Sequence, residues 1–281
     1  MHIQGVRADG YHLVHTVMQA VSLRETVEVW HTDRQGITLT IEGADLADDE
    51  HNTARKAAKA FEEAIGVVLP GIAICLHKRV PIGAGLAGGS ADAAAVLVAL
   101  NALTHSGLSV DDLYRIGAKV GADVPFCVHG GTAIGTGTGT ELSPLPPMPE
   151  CRIVIAKPAD GISTPAAYRL IDAAKDLPLL SASQMEQAIR DGNLRAIAKE
   201  LCNAFDSVTS LKGVTHIKTV MRDHQALGCQ MTGSGSAVFG LFDDDSAAQR
   251  CYQDLQHTYR DVFLCSPDPC GAVVDEVLCV C

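Results

Sequence analysis

The sequence predicts an α+β protein of two domains, and three observations lead there. Strand-like and helix-like segments are mixed along the chain without a regular β-α repeat, which argues against a doubly wound sheet. At 281 residues the chain has the length of one large domain or two smaller ones of about 150 residues. A proline cluster, Pro144-Leu145-Pro146-Pro147-Met148-Pro149, lies near its middle and is the best place for a boundary. The domains expected are therefore 1–148 and 149–281.

Residues 13–30 contain strand-like stretches, Thr26-Val27-Glu28-Val29-Trp30 among them. Ile37–Ile41 alternates apolar residues with threonine, as a half-buried strand does. Asn52 is placed to cap a helix whose inner face carries Ala54, Ala57, Ala58, Phe61 and Ile65. Residues 71–77 read as a strand. A glycine loop then leads into an alanine-rich helix over about 90–103, with Gly107 as its stop. Ser109 to Asp112 forms a capping box that opens another helix, with Leu113, Ile116 and Val120 at helical spacing. Gly121 ends that helix, and Asp123-Val124-Pro125-Phe126 is expected to begin a loop or strand. Past a Gly/Thr stretch (130–140) and the prolines, Cys151–Ala156 reads as a strand. Helices are expected near 164–174, 184–191, 193–202 and 212–226. A short strand at Gln230-Met231, a loop at Thr232–Gly235, a strand at Ala237–Phe242, a helix near 245–257 and two late strands complete the reading.

Composition excludes several classes. With 47% hydrophobic and 20% charged residues, the chain is not a disordered one. A chain of this size can bury roughly 75% of its unfolded surface. The net charge of −11 argues against a nucleic-acid partner, whose footprint is a basic patch. It leaves room for one bound nucleotide, because backbone amides hold phosphate without side-chain charge. No apolar run reaches the length of a membrane span, so no membrane partner is expected. Met1-His2-Ile3-Gln4 carries neither a basic nor an apolar leader, and a cytoplasmic protein with reduced thiols is expected. Cys265, Cys270, Cys279 and Cys281 form no Cys-x-x-Cys pair and have no histidine at zinc spacing, so no metal site is expected there.

Three motifs carry chemistry. The first is Pro81-Ile82-Gly83-Ala84-Gly85-Leu86-Ala87-Gly88-Gly89-Ser90-Ala91-Asp92 opening a helix. Glycines let a backbone approach phosphate closely, and a helix N-terminus adds free amides and a positive dipole end. Gly83-x-Gly85-x-x-Gly88 matches the dinucleotide fingerprint in letters, but Lys78-Arg79-Val80-Pro81 separates it from the preceding strand. No acid ends a second strand about 20 residues later. No Gly-Lys-Ser/Thr closes the loop, so it is not a P-loop either. The second motif is Gly121-Ala122-Asp123-Val124-Pro125, a carboxylate set just past a helix end and able to accept a hydroxyl proton. The third is a second glycine loop, Met231-Thr232-Gly233-Ser234-Gly235-Ser236-Ala237.

In this order the three resemble the GHMP superfamily of small-molecule kinases. Further runs, Gly5-Val6-Arg7-Ala8-Asp9-Gly10-Tyr11-His12, Asn52 with its helix, Ile162–Tyr168 and Asn203-Ala204-Phe205-Asp206, narrow the resemblance to members that act on 4-diphosphocytidyl-2-C-methyl-D-erythritol. The likeness runs from about residue 3 to residue 242. It implies a GHMP fold with an ATP-binding N-terminal domain, an α/β C-terminal domain and an active site in the cleft. The reaction implied is ATP- and Mg²⁺-dependent phosphorylation of that substrate's 2-hydroxyl, in non-mevalonate isoprenoid synthesis, by a monomer or homodimer. By the same resemblance, Pro81–Ala91 is the ATP loop, Asp123 the catalytic base, and Asn52 and Lys78 adenosine-side contacts. Tyr11, His12 and Tyr168 would hold the cytosine, whose π-face suits tyrosines and whose edge suits a histidine.

One departure stands out. The family's first strand carries Pro-Ala-Lys, an apolar residue and Asn shortly before the Gly-x-Arg-x-Asp-Gly-Tyr-His run, and that Lys belongs to its catalytic site. Here Met1–Gln4 alone precede Gly5, and the first lysine is Lys56. The expectation is a native start upstream of Met1 or a truncated chain, with the neighbouring strand left as an exposed edge. The competing readings are another GHMP kinase of homoserine or mevalonate type, an inactive nucleotide-binding protein, and a nicotinamide oxidoreductase.

Overall fold

The computed structural model describes residues 1–174 and 182–276. Two compact units emerge, neither a continuous segment. One comprises residues 1–23, 81–86 and 131–269; the other comprises 24–80, 87–130 and the chain from 270 onward. The proline cluster lies inside the first unit, so the compact units do not divide at residue 148. The physical reason is sheet pairing. The first strands, β1 (His2–Val6) and β2 (His12–Gln19), pair with each other, and β2 pairs in turn with a strand more than a hundred residues later.

The second unit holds β3 (Thr26–His31), β4 (Gly36–Glu42), α1 (Thr53–Ile65) and β5 (Gly71–His77). It continues with α2 (Gly88–Leu103), α3 (Val110–Val120) and α4 (Val124–His129). Its sheet has the order β3-β5-β4. β4 and β5 run parallel and are joined through α1, the crossover that parallel neighbours require. Ile72, Ile74 and Leu76 of β5 are buried with Phe61, Leu97 and Leu100 in one apolar cluster. Asn52 caps α1 as expected, with Oδ1 accepting from the Ala54 amide at 3.0 Å. The capping box of α3 is present, with Ser109 and Asp112 each bonding the other's backbone amide. The segment after Gly121 differs from expectation. It is a helix, α4, with Asp123 at its N-cap position and Pro125 in its first turn. Proline fits there because first-turn amides have no intrahelical partner to lose.

The first unit adds β6 (Thr132–Thr136), β7 (Glu141–Pro144) and β8 (Arg152–Lys157) to β1 and β2. Five helices follow: α5 (Thr164–Ala173), α6 (Ala182–Arg190), α7 (Leu194–Lys199), α8 (Ala204–Val208) and α9 (Lys212–Asp223). β9 (Gly228–Met231), β10 (Val238–Phe242), α10 (Asp245–Gln256) and β11 (Asp261–Cys265) complete it. Its sheets have the orders β1-β2-β6-β7 and β11-β8-β10-β9. The expected exposed edge on β2 is not found, because Met1–Val6 is itself strand-forming. β1 pairs antiparallel with β2, with an irregularity between Ile3 and Gly5, and β2 lies inside its sheet. The Met1 ammonium donates to the Cys202 carbonyl at 2.8 Å. Of the two late strands expected, β11 is found among the described residues, and Cys279 and Cys281 lie outside them. No helix among the described residues is long and apolar enough to cross a membrane.

Candidate active site

In the second unit the site is built at the start of α2. Ala87 occupies the N-cap position in the left-handed region (φ 55°) and makes no side-chain cap bond. The amides that follow are the ones an α-helix leaves without an intrahelical partner. Thr53 donates its hydroxyl to the Gly89 carbonyl at 2.7 Å, fastening α2 to α1. A Cβ on Gly89 would lie 3.2 Å from that hydroxyl, and one on Gly121 would lie 3.8 Å from Ser90 Oγ. The corner between α3 and α4 thus faces the first turn of α2, and Asp123 stands on that corner.

Asp123 is exposed and makes no cap bond with its own helix. Desolvation by the surrounding protein raises its pKa above the ordinary carboxylate value. The charges of Asp123 and Asp92, after burial itself, push the Cys127 thiol up, which leaves that thiol protonated and inert. An accessible carboxylate of raised pKa beside a cradle of amides has the properties of a general base.

Lys78 is placed otherwise than expected. Its side chain is 4% exposed, with the ammonium 2.5 Å from Glu25 Oε1 and 2.6 Å from Asp92 Oδ2. Two carboxylates engage it, so a nucleoside contact does not fit that side chain. Glu25 also accepts the Arg79 amide at 2.7 Å and the Val80 amide at 3.3 Å. The triad therefore ties the exit of β5 to the first turns of α2. Asn52 is likewise committed: besides capping α1, its Nδ2 donates to the Ala47 carbonyl at 3.3 Å.

Asp92 is 2% exposed, and its Oδ1 has no hydrogen-bond partner. Desolvation pushes its pKa up to about 6, against the pull of Lys78. The folded form therefore holds this proton more tightly than the unfolded chain, whose value is 3.8. The group's contribution to stability falls as pH rises from 3.8 to about 6 and is level above that. Across this window the loss amounts to about 3 kcal/mol at most. We expect Asp92→Asn to remove this slope, measured as the difference in urea-unfolding free energy between wild type and variant at pH 4, 5, 6 and 7. Parallel curves would contradict it.

The first unit, by itself, holds two further features. The two glycine loops are pinned to each other. Thr232 Oγ1 donates to the Gly85 carbonyl at 3.0 Å, and the Ala237 amide donates to the Ala84 carbonyl at 3.0 Å. A Cβ on Gly85, at φ 71°, would meet the Thr232 carbonyl at 2.3 Å, so only glycine fits. Asn203 is buried behind them, its Nδ2 donating to the carbonyls of Met231 and Gly233, both at 2.8 Å. The second feature is an aromatic cluster. The His12 ring lies 4.3 Å from that of Tyr168, and Tyr168 packs edge-on against Phe205 at 4.9 Å. His12 Nε2 is 2.7 Å from Asp172 Oδ1. Tyr11, expected beside them, is 65% exposed.

Sequence reasoning missed Asp172, Phe205, Glu25 and Asp92. Asp172 follows Tyr168 by four residues on α5, so helical spacing could have found it. Phe205 lies in the Asn203–Asp206 run that was noted without a role. Glu25 is 53 residues from Lys78, and no local pattern links them.

Comparisons with known proteins fit this geometry. Residues 52–131 match the family model "GHMP kinases N terminal domain", and residues 185–261 match "GHMP kinases C terminal". The chain is 40% identical over 260 residues to 4-diphosphocytidyl-2-C-methyl-D-erythritol kinase of Caldicellulosiruptor saccharolyticus, covering 92% of this chain and 89% of the relative. It is 40% identical over 269 residues to the kinase of the same name from Moorella thermoacetica, covering 94% and 93%. A crystal structure of 4-(cytidine 5'-diphospho)-2C-methyl-D-erythritol kinase superposes with a TM-score of 0.78 at 31% identity, covering 94% of both chains. A homoserine kinase from Cytophaga hutchinsonii shares the fold, with a TM-score of 0.75 at 23% identity over 91% of this chain and 90% of that one.

Proposed function

We propose a reaction for this chain from the premise that it belongs to the GHMP kinase family: ATP-dependent phosphorylation of the 2-hydroxyl of 4-diphosphocytidyl-2-C-methyl-D-erythritol. The observation that carries the substrate is 40% identity to kinases of that name over more than nine-tenths of the chain. The pathway follows from the substrate, which is an intermediate of non-mevalonate isoprenoid synthesis.

The residues divide the work. The first-turn amides of α2 (Gly88, Gly89, Ser90) would hold phosphate oxygens, with the helix dipole favouring the negative charge. The uncapped start of α2 and the glycines before it fit a phosphate-bearing cofactor. Mg²⁺, when bound with ATP, would supply neutralisation of the phosphate charge. Asp123 takes the proton of the attacking hydroxyl. Desolvation raises its pKa, which makes it a better base than an ordinary aspartate.

The His12 cluster selects the nucleoside. A carboxylate only accepts hydrogen bonds, so Asp172 fixes the proton of a neutral His12 on Nε2 and leaves Nδ1 as an acceptor. Cytosine presents an exocyclic amine, which an acceptor reads; uracil presents an oxygen there, which it does not. Tyr168, backed by Phe205, offers the ring face.

The test is ADP release with ATP, Mg²⁺ and the cytidyl substrate. Turnover inhibited by CMP and not by UMP supports the reading. Turnover of homoserine or mevalonate with indifference to CMP would overturn it. Asp172→Asn is expected to lower the preference for CMP over UMP by about tenfold, the effect of about 1.4 kcal/mol.

A further inference from the structure

The outer face of the three-stranded sheet carries a cluster that the kinase reaction does not use. Along β5 the odd and even positions point to opposite faces. Ile72, Ile74 and Leu76 enter the core with Val27 and Val29 of β3 and Ile37, Leu39 and Ile41 of β4. Cys75 and His77 therefore share the other face. Glu28 of β3 sits directly opposite Cys75, and Glu42 of β4 sits opposite His77. The pairing register thus brings a thiol, an imidazole and two carboxylates together from all three strands. His77 Nδ1 lies 3.0 Å from Glu42 Oε2, and His77 Nε2 lies 3.6 Å from Glu28 Oε1. One donor atom each from Glu42, Cys75 and His77 falls within 4.8 Å of the other two.

We propose that Glu42, Cys75 and His77 bind a zinc-class divalent cation on the outer face of this sheet, with water completing the coordination and Glu28 holding the far nitrogen of the His77 ring. The protein donors are one sulfur, one nitrogen and one carboxylate oxygen, which with water suit four-coordinate Zn²⁺. Thiolate and imidazole disfavour the hard cations Mg²⁺ and Ca²⁺, so this ion is chemically distinct from the one that phosphoryl transfer uses. The side chains of Glu28, Glu42 and His77 are 62%, 61% and 34% exposed, so an ion reaches them from solvent. Cys75 is buried beneath them and closes the inner side. A bound ion would clip the edge strand β4 to β5, and ligands that prefer the folded state raise its stability.

Cobalt reports on this site without reference to kinase activity. The whole chain, freshly reduced and metal-free, is titrated with CoCl₂. One equivalent should produce the intense visible bands of tetrahedral cobalt together with a near-ultraviolet thiolate-to-cobalt band, both discharged by ZnCl₂ and unaffected by MgCl₂. Cys75→Ser should abolish the charge-transfer band, and His77→Gln should abolish or greatly weaken both signals. His77 and Glu42 are surface positions, so His77→Gln and Glu42→Gln remain informative if Cys75→Ser fails to fold. A ZnCl₂-dependent rise in Tm that is lost in His77→Gln would support the site independently. Absence of a thiolate band in the wild type, or a band that persists in both Cys75→Ser and His77→Gln, would overturn the proposal; persistence would place the ion on other cysteines.

Discussion

Asp123→Asn is expected to lower kcat by about 10²–10⁴-fold with little change in the KM for either substrate, the range that general acid–base catalysis commands. The substitution removes a proton acceptor and nothing structural. Asp123 is exposed and makes no cap bond, so α4 keeps its proline-set first turn and its remaining hydrogen bonds. Thermal unfolding of the variant should match the wild type, which separates lost chemistry from lost fold. The pH profile gives a second readout. A base acts when deprotonated, so kcat/KM should fall as pH drops through the raised pKa of Asp123, and the asparagine variant should lack that limb. Full activity in Asp123→Asn would remove this residue from the reaction.

Lys78→Met is expected to cost about 3–5 kcal/mol, because it strands two buried carboxylates without their cation. Glu25 and Asp92 side chains are 2% and 3% exposed, so water cannot replace the ammonium. For a chain of this size the loss corresponds to a fall in Tm on the order of 10 °C. Adding Asp92→Asn should recover part of it, since one of the two uncompensated charges is then gone, and the pair should be markedly non-additive. Differential scanning calorimetry of the two single variants and the double variant decides the matter. A Lys78→Met protein as stable as wild type would show that the triad carries no net stabilisation.

What was legible in the sequence follows from range. Helix ends were readable because caps are local: Asn52 and the Ser109–Asp112 box each act within three residues. β4 and β5 were readable because alternation and a continuous apolar run are local too. Asp123 was picked out from its neighbours, but its helix was not, because Val-Pro-Phe reads equally as an extended stretch. The partners of Lys78 and the pairing of residues 1–6 were not legible for one reason. The ammonium's partner Glu25 and the Cys202 carbonyl bonded by Met1 are 53 and 201 residues away. The compact units are also a matter of range: a proline cluster marks a stiff stretch of chain, whereas the units are set by which strands pair.

The interleaving of the two units also sets the order in which they are completed during synthesis. The elements of the second unit from β3 to α4 have all emerged once residue 130 leaves the ribosome, save the short segment that returns after residue 269. β1 and β2 emerge first yet cannot finish their sheet until β6 appears: Gln19 meets Thr132 across 113 residues. At about 5–20 residues per second that wait lasts roughly 5–20 s. An isolated two-stranded hairpin is marginal in water, so its apolar residues stay solvent-facing throughout. The second sheet of that unit waits longer still, until β11 has emerged to pair with β8. Nascent chains of this protein therefore leave the opening strands without their sheet long after the second unit's elements have emerged.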